Sequence, residues 1–361
     1  MLRHVALALL LITSTAHAED VPWLTEITTP PKSLPKLDGP PLALLSKTST
    51  GQPITDLAGW NVKRAELRKA WLDFLGPMPE RPANTTIKVL RTDELPDVVR
   101  QLIEYENEPG QTLQAYLLRP RQALPAGQTR AGIVALHPTT AETIEPIAGL
   151  SGPEAKQTGL QLARKGFVVI CPRNFLWQDA KSLPEAVEKF KARHPQTLGM
   201  HKMLYDAQRA TDILAGQPDV DPQRLGSVGH SLGAKEVLYL AAFDERIQAT
   251  VSSEGGLGLW STNWEAPWYL GPAVRQLDFP RNHHELLALI APRPFLVLAG
   301  EAGSGSADGD RSWPVLEPAQ DIARLYGEPV RLGIFNHHEG HSIPQVAQER
   351  MAEWLEVYLR E

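Results

Sequence analysis

The stretch that decides the fold is Arg224-Leu-Gly-Ser-Val-Gly-His-Ser-Leu-Gly-Ala-Lys-Glu-Val-Leu-Tyr-Leu240. A short apolar run, Leu225 to Val228, reads as a buried strand, and Ala234 to Leu240 reads as a helix. Between them Gly229-His230-Ser231-Leu232-Gly233 matches G-x-S-x-G. A serine on so tight a strand-to-helix turn holds a strained backbone with its hydroxyl exposed. The flanking glycines are demanded because a Cβ would crowd the turn. The following helix aims its first N–H groups at an oxygen that gains negative charge when a carbonyl is attacked. The alternative, an ordinary turn serine, lacks a reason for both glycines and for the strand and helix around them.

Outward from this turn the chain alternates buried strands with helices from residue 131 onward, which predicts a mainly parallel α/β sheet with helices on both faces. The strands are expected at Gly132–Leu136, Phe167–Cys171, Leu225–Val228, Ala249–Ser252, Phe295–Ala299 and Val330–Phe335. Helices are expected to start near Pro153, His201, Leu232, His283 and Pro314, with a last one from Pro344 to Leu359. Two non-periodic insertions, 173–200 and 255–282, read as lid-like. Upstream, 61–76 has one apolar helical face, and three alternating runs near Thr86–Leu90, Val98–Glu106 and Leu113–Leu118 predict an antiparallel entry to the sheet. Residues 19–60, with Pro30-Pro31 and Pro40-Pro41, read as an extended arm, so that 61–361 forms the catalytic domain.

The chain of 361 residues is 42% hydrophobic and 22% charged, with a formal charge of −6. This is material for a sizeable core and gives no basic surface for nucleic acid. Residues 1–18 carry Arg3, the apolar run Val5–Ile12 and the small-x-small site Ala16-His17-Ala18, which predicts a cleaved export signal and a periplasmic protein. The single cysteine, Cys171, excludes an internal disulfide. No stretch is expected to anchor the chain in a membrane. No phosphate loop or dinucleotide fingerprint is present, so no cofactor is expected.

A serine nucleophile needs a base, and the base needs a carboxylate. His341 follows a glycine in the loop after the last strand and lies downstream of Ser231, which makes it the expected base ahead of His337 and His338. The histidine cluster lacks the spacing that sets metal ligands on one helix face, so no metal is expected. Two carboxylates compete for the acid: Asp310, four residues before Pro314, and Glu254, at the end of the strand after the nucleophile helix, with Asp308 behind them. The oxyanion donors are expected from the N–H groups of Leu232 and of Thr139, since Pro138 has none. Trp260, Trp264 and Trp268 recur every four residues, which predicts one aromatic helix face, either a sugar platform or a packed lid.

Together these features resemble the α/β-hydrolase superfamily. The run Asp206–Gly256 resembles a bacterial dienelactone-hydrolase-like and acetylxylan-esterase-like group and is similar to glucuronoyl esterases. The resemblance is carried by Ala242-Phe243-Asp244-Glu245-Arg246, by the passage His284 to Arg293, and by Glu254 standing 23 positions after Ser231. The likeness to the glucuronoyl esterases implies Glu254 as the acid and Lys235, four residues after the serine, as a substrate-binding residue, while the loop Asp308-Gly309-Asp310-Arg311-Ser312-Trp313 resembles the dienelactone-hydrolase-like group and keeps the choice of acid open. The chain departs from the glucuronoyl esterases at Leu232, where they carry arginine, and at His230, where they carry cysteine. The implied activity is hydrolysis of a carboxylic ester, acetyl or glucuronoyl, on a carbohydrate. The rivals are lactone or peptide hydrolysis on the same residues, or a binding protein that has lost turnover.

Overall fold

The computed structural model describes residues 19–360. The expected export signal, 1–18, lies outside the described residues. Nine strands form one sheet: β1 (Lys88–Glu94), β2 (Val98–Glu108), β3 (Gln111–Pro120), β4 (Arg130–Leu136), β5 (Val168–Pro172), β6 (Val220–His230), β7 (Ile247–Ser253), β8 (Phe295–Ala299) and β9 (Leu332–Asn336). Their order is β1-β2-β3-β5-β4-β6-β7-β8-β9. The first three strands and β5 pair antiparallel, and β5 to β9 pair parallel in that spatial order. The β2–β3 hairpin closes at Glu108 and Gln111 around Pro109-Gly110, the turn its sequence predicts.

The parallel strands are mostly buried, β5 and β8 at every residue and β6 from Leu225 to Gly229, because helices cover both faces. The helix that follows Ser231, Leu232–Phe243, is buried at all its positions beneath the helix Gly199–Ala215 and the helix His284–Ile290. Its even apolarity marks it as a core helix. The helix Leu57–Leu75 starts four residues earlier than its apolar face suggests, because Asp56 caps it by accepting from Gly59 N at 2.8 Å.

Two expectations need correction. The segment 173–200 is not wholly irregular: it contains a helix, Leu183–Arg193, whose Ser182 cap accepts from Glu185 N. Its apolar face is narrow, carried by Ala186 and Phe190, which hid it in the sequence. The segment 255–282 forms no α-helix, only turns and a short 3-10 turn at Pro272–Arg275. Pro267 between Trp264 and Trp268 has no N–H and keeps its predecessor out of helical geometry, so the three tryptophans share no helix face.

The 19–60 segment runs over the body with Val21, Leu24, Ile27, Leu45 and Ile54 buried. Trp23 stacks on Trp354 at 5.7 Å, and Asp20 pairs with Arg331 at 2.6 Å. Among the described residues no helix is long and apolar enough to cross a membrane.

Candidate active site

The carboxyl ends of β4, β6, β7, β8 and β9 converge on one edge of the sheet, the place where parallel α/β sheets bind ligands. Ser231 follows β6 with φ 58° and ψ −112°, a left-handed conformation that a side chain seldom takes. The glycines beside it leave the turn no slack. A Cβ at Gly229 would stand 2.2 Å from Gly233 backbone atoms, and one at Gly233 would stand 2.1 Å from Leu136 O. The turn is pinned to the next strand by Ser231 N donating to Ser253 O at 2.8 Å.

The loop after β9 brings His341 to Ser231: both line a cleft of about 480 Å³, which Thr139, Lys156 and Ser342 also line. His341 Nδ1 faces Glu254 Oε2 at 3.4 Å, an ion-pair distance without a hydrogen bond. Glu254 is itself fixed. It is buried, has φ 57°, and accepts from Gly300 N through Oε1 and from Ala307 N at 2.7 Å through Oε2. A Cβ at Gly300 would stand 2.5 Å from the carbonyls of Glu339 and Gly340, so only glycine lets the loops after β8 and β9 close over the carboxylate.

The rival acid goes elsewhere. Asp310 accepts from Asn336 Nδ2 at 3.0 Å and not from His341. It stands in a 3-10 turn ahead of the helix Trp313–Ala323, and that extra turn carries its carboxylate to the strand end. Asp308 is buried and accepts from the N–H groups of Gly256 and Leu257, both at 2.8 Å, and from Ser312 Oγ at 2.7 Å. It therefore clamps the start of the 255–282 insertion. Burial, with the Glu254 charge close by, pushes its pKa up.

Of the other histidines, His338 is exposed and pairs with Glu301 Oε2 at 3.0 Å. His337 Nδ1 accepts from Glu339 N at 3.2 Å, and burial lowers its pKa. His230 lies against His341, with ring centroids 4.8 Å apart, and bonds Ser253 Oγ at 3.0 Å. Burial, helped by the neighbouring His341, lowers its pKa to about 3, so it stays neutral.

Leu232 is first in the helix after Ser231 and does not line the cleft, whereas Thr139, after β4, lines it with Ser231. Lys235 does not reach the cleft. It is buried, with Nζ donating to Gly255 O at 2.6 Å and to Thr262 Oγ1, and lies 4.0 Å from the centre of the Trp264 ring. Burial lowers its pKa to about 7. The tryptophans correct the platform expectation as well. Trp264 is fully buried and donates to Gly256 O at 2.9 Å, Trp260 packs against Gly39 and under Arg275, and Trp268 packs against the core. None of the three lines the cleft.

A more open groove of about 1000 Å³, lined by residues 76–83 with Tyr205, Asp212 and Arg246, contains none of this machinery. Its one histidine, His201, is tied to Gly76 O. Among the described residues no cluster of histidine, cysteine and carboxylate side chains is arranged to hold a metal.

The chain is similar to known proteins. The model of the Dienelactone hydrolase family matches residues 128–276. The protein named "Putative hydrolase YtaP" from Bacillus subtilis is 26% identical over 256 residues, 66% of this chain and 80% of that one. A solved glucuronoyl esterase from Solibacter usitatus superposes with a TM-score of 0.72 at 18% identity, covering 90% of this chain and all of that one. One from Teredinibacter turnerae gives a TM-score of 0.68 at 19% identity, over 87% of this chain and 88% of that one. The chain has the α/β-hydrolase fold. Its resemblance to the dienelactone-hydrolase-like group holds, and the family match and the curated relative support a hydrolase.

On this fold two features escape a reading of the sequence. The first is the pair of N–H groups, Gly300 and Ala307, that grips Glu254. The glycine-rich run Gly300 to Gly305 is its only signal. The second is Asp308, whose spacing from the insertion it clamps is visible only in three dimensions.

Proposed function

We propose that this chain is an exported serine hydrolase that cleaves a carboxylic ester on a carbohydrate. One observation carries the reading: Ser231, at φ 58° on a glycine-bounded elbow, shares a cleft with His341, whose Nδ1 faces the buried Glu254. In this reading Glu254 keeps the proton of neutral His341 on Nδ1, leaving Nε2 to take the proton from Ser231 Oγ. The alkoxide attacks the ester carbonyl, and the N–H groups of Leu232 and Thr139 hold the oxygen as it becomes negative. His341 returns the proton to the leaving alcohol, and water then releases the acid from the acyl-enzyme by the same steps.

The carbohydrate part of the proposal rests on likeness to glucuronoyl esterase folds, and export rests on residues 1–18. The acyl group is set by two features that pull apart. Glu254 keeps the spacing of the glucuronoyl esterases, whereas Lys235 is committed to Gly255 and Thr262 and offers a substrate no charge. The test is hydrolysis of an aryl acetate, acetylated xylan and a benzyl ester of glucuronic acid by protein beginning at Glu19, beside Ser231→Ala. Turnover of at least one carbohydrate ester that vanishes in Ser231→Ala supports the proposal. Turnover of none of them, or turnover surviving in Ser231→Ala, overturns it.

A further inference from the structure

The residue before the oxyanion loop, His137, is 1% exposed and makes two directed contacts. Its Nε2 lies 3.0 Å from the backbone N of Asn174. A backbone N–H can only donate, so Nε2 must carry the lone pair and the ring proton must be on Nδ1. Nδ1 lies 2.8 Å from Pro138 O and therefore donates to it. The tautomer is fixed by partners at both ends of the ring, and the edge of Trp177, 5.4 Å away centre to centre, fills the remaining space.

The consequence falls on the next peptide. Only Ala291-Pro292 and Glu328-Pro329 are cis among the described residues, so the peptide joining Pro138 to Thr139 is trans. In a trans peptide the C=O and the N–H point in opposite directions. Holding Pro138 O inward, against a buried ring, turns the Thr139 N–H outward, and Pro138 and Thr139 both line the cleft with Ser231. The anchor extends further. Asn174 Nδ2 donates to Glu236 Oε1 at 3.0 Å, and Glu236 belongs to the nucleophile helix. A line of hydrogen bonds thus joins the helix that carries Ser231 to the loop that carries Thr139.

We infer that His137 is a positioning residue that sets the direction of the Thr139 oxyanion donor and ties it to the nucleophile helix. The inference rests on the proposed role of Thr139. Burial also lowers the His137 pKa to about 4, so the ring stays neutral through the working pH range.

Two isosteric changes separate this role from mere packing. An asparagine amide takes the place of Nδ1 and keeps the donation to Pro138 O. A glutamine amide takes the place of Nε2 and keeps only the contact with Asn174. His137→Gln is expected to lower kcat on an aryl acetate roughly 10²–10³-fold, the effect of losing one oxyanion donor, with KM within about threefold. Inhibition by phenylboronic acid, which becomes tetrahedral on the serine, should weaken in parallel, and His137→Asn should recover most of both. Equal losses in the two variants, or no loss in His137→Gln, would overturn the inference. Should either variant fail to fold, ¹⁵N-histidine spectra of the wild-type protein decide: His137 protonated on Nδ1 from pH 5 to 8 supports it, and a proton on Nε2 overturns it. Ser231→Ala run alongside keeps the two ideas apart. Its survival defeats the serine mechanism, whereas an inactive Ser231→Ala beside an unimpaired His137→Gln defeats only the role of His137.

Discussion

Replacing Glu254 with glutamine keeps the size of the side chain and removes one acceptor from a site that has none to spare. The carboxylate accepts from two N–H groups, Gly300 N at Oε1 and Ala307 N at Oε2, and His341 Nδ1 faces Oε2 at 3.4 Å. An amide has one oxygen. With that oxygen toward Ala307, its NH₂ meets the Gly300 N–H, and a buried donor is left without an acceptor. With it toward Gly300, the NH₂ meets both Ala307 N–H and His341, and the imidazole must present a lone pair at Nδ1. The proton then sits on Nε2, the wrong tautomer for a base. Either orientation strands a buried donor at a cost of about 1–3 kcal/mol in stability. The second also lowers kcat by roughly 10³–10⁴-fold, the scale seen when a triad carboxylate becomes an amide. Asp310→Ala removes only a bond from Asn336, which keeps Glu301 as an acceptor at 3.0 Å, so kcat should stay within about threefold. The assay is steady-state hydrolysis of an aryl acetate at pH 7.5, with melting temperatures for each variant. A fall in Asp310→Ala as deep as that in Glu254→Gln would refute the assignment of the acid.

Lys235→Met should leave the preference between glucuronate and acetyl esters unchanged within about threefold while costing about 1–3 kcal/mol of stability, because Gly255 O loses its donor; a selective loss on the glucuronate ester would restore Lys235 to the substrate site. Glu236, raised to about 8 by burial, binds a proton in the fold that the unfolded chain has released above its ordinary 4.5. Its stability contribution is therefore whole below about 4.5 and is lost as pH rises toward 8, so Glu236→Gln should raise the melting temperature more at pH 8 than at pH 5, and an equal shift at both would refute this. Trp264→Ala should destabilise by roughly 3–5 kcal/mol, read from urea melts, as the loss of a fully buried ring does; a near-neutral result would mean that the insertion is not packed as described. Gly233→Ala should cut kcat roughly 100-fold or more, since the new methyl displaces either the elbow or Leu136; steady-state turnover close to wild type would refute the tightness of the elbow.

The parallel sheet is legible because short, mostly apolar runs bounded by turn residues alternate with helical stretches, and Ser231 is legible because the elbow needs two glycines at fixed offsets. The acid is not, because strand ends look alike in sequence. Glu254 and Asp310 both follow apolar strands and precede glycine or helix, and what separates them is a pair of backbone N–H groups from a loop some 50 residues downstream of Glu254. The tryptophans mislead for a different reason. Their spacing of four matches a helix, but the proline between the second and third disfavours one, and that local fact outweighs the period. The resemblance implies a substrate role for Lys235, which is excluded only by seeing Thr262 and Trp264 fold back over it.

The strained residues explain why the insertion packs so tightly. Ser231 and Glu254 follow neighbouring strands, β6 and β7, and both hold φ near 57°. Such strain costs of order 1–3 kcal/mol at each residue and persists only where the surroundings over-determine it. At Glu254 the surroundings begin one residue later. Lys235 holds Gly255 O, Asp308 holds the N–H groups of Gly256 and Leu257, and Trp264 holds Gly256 O. The insertion thus acts on the site through the backbone of Glu254, as a clamp on the residue that faces His341. A lysine and a tryptophan in such a clamp face the protein and not a ligand. The walls left to read a substrate are those beside Ser231: the segment after β4, and the turn His341 to Ile343.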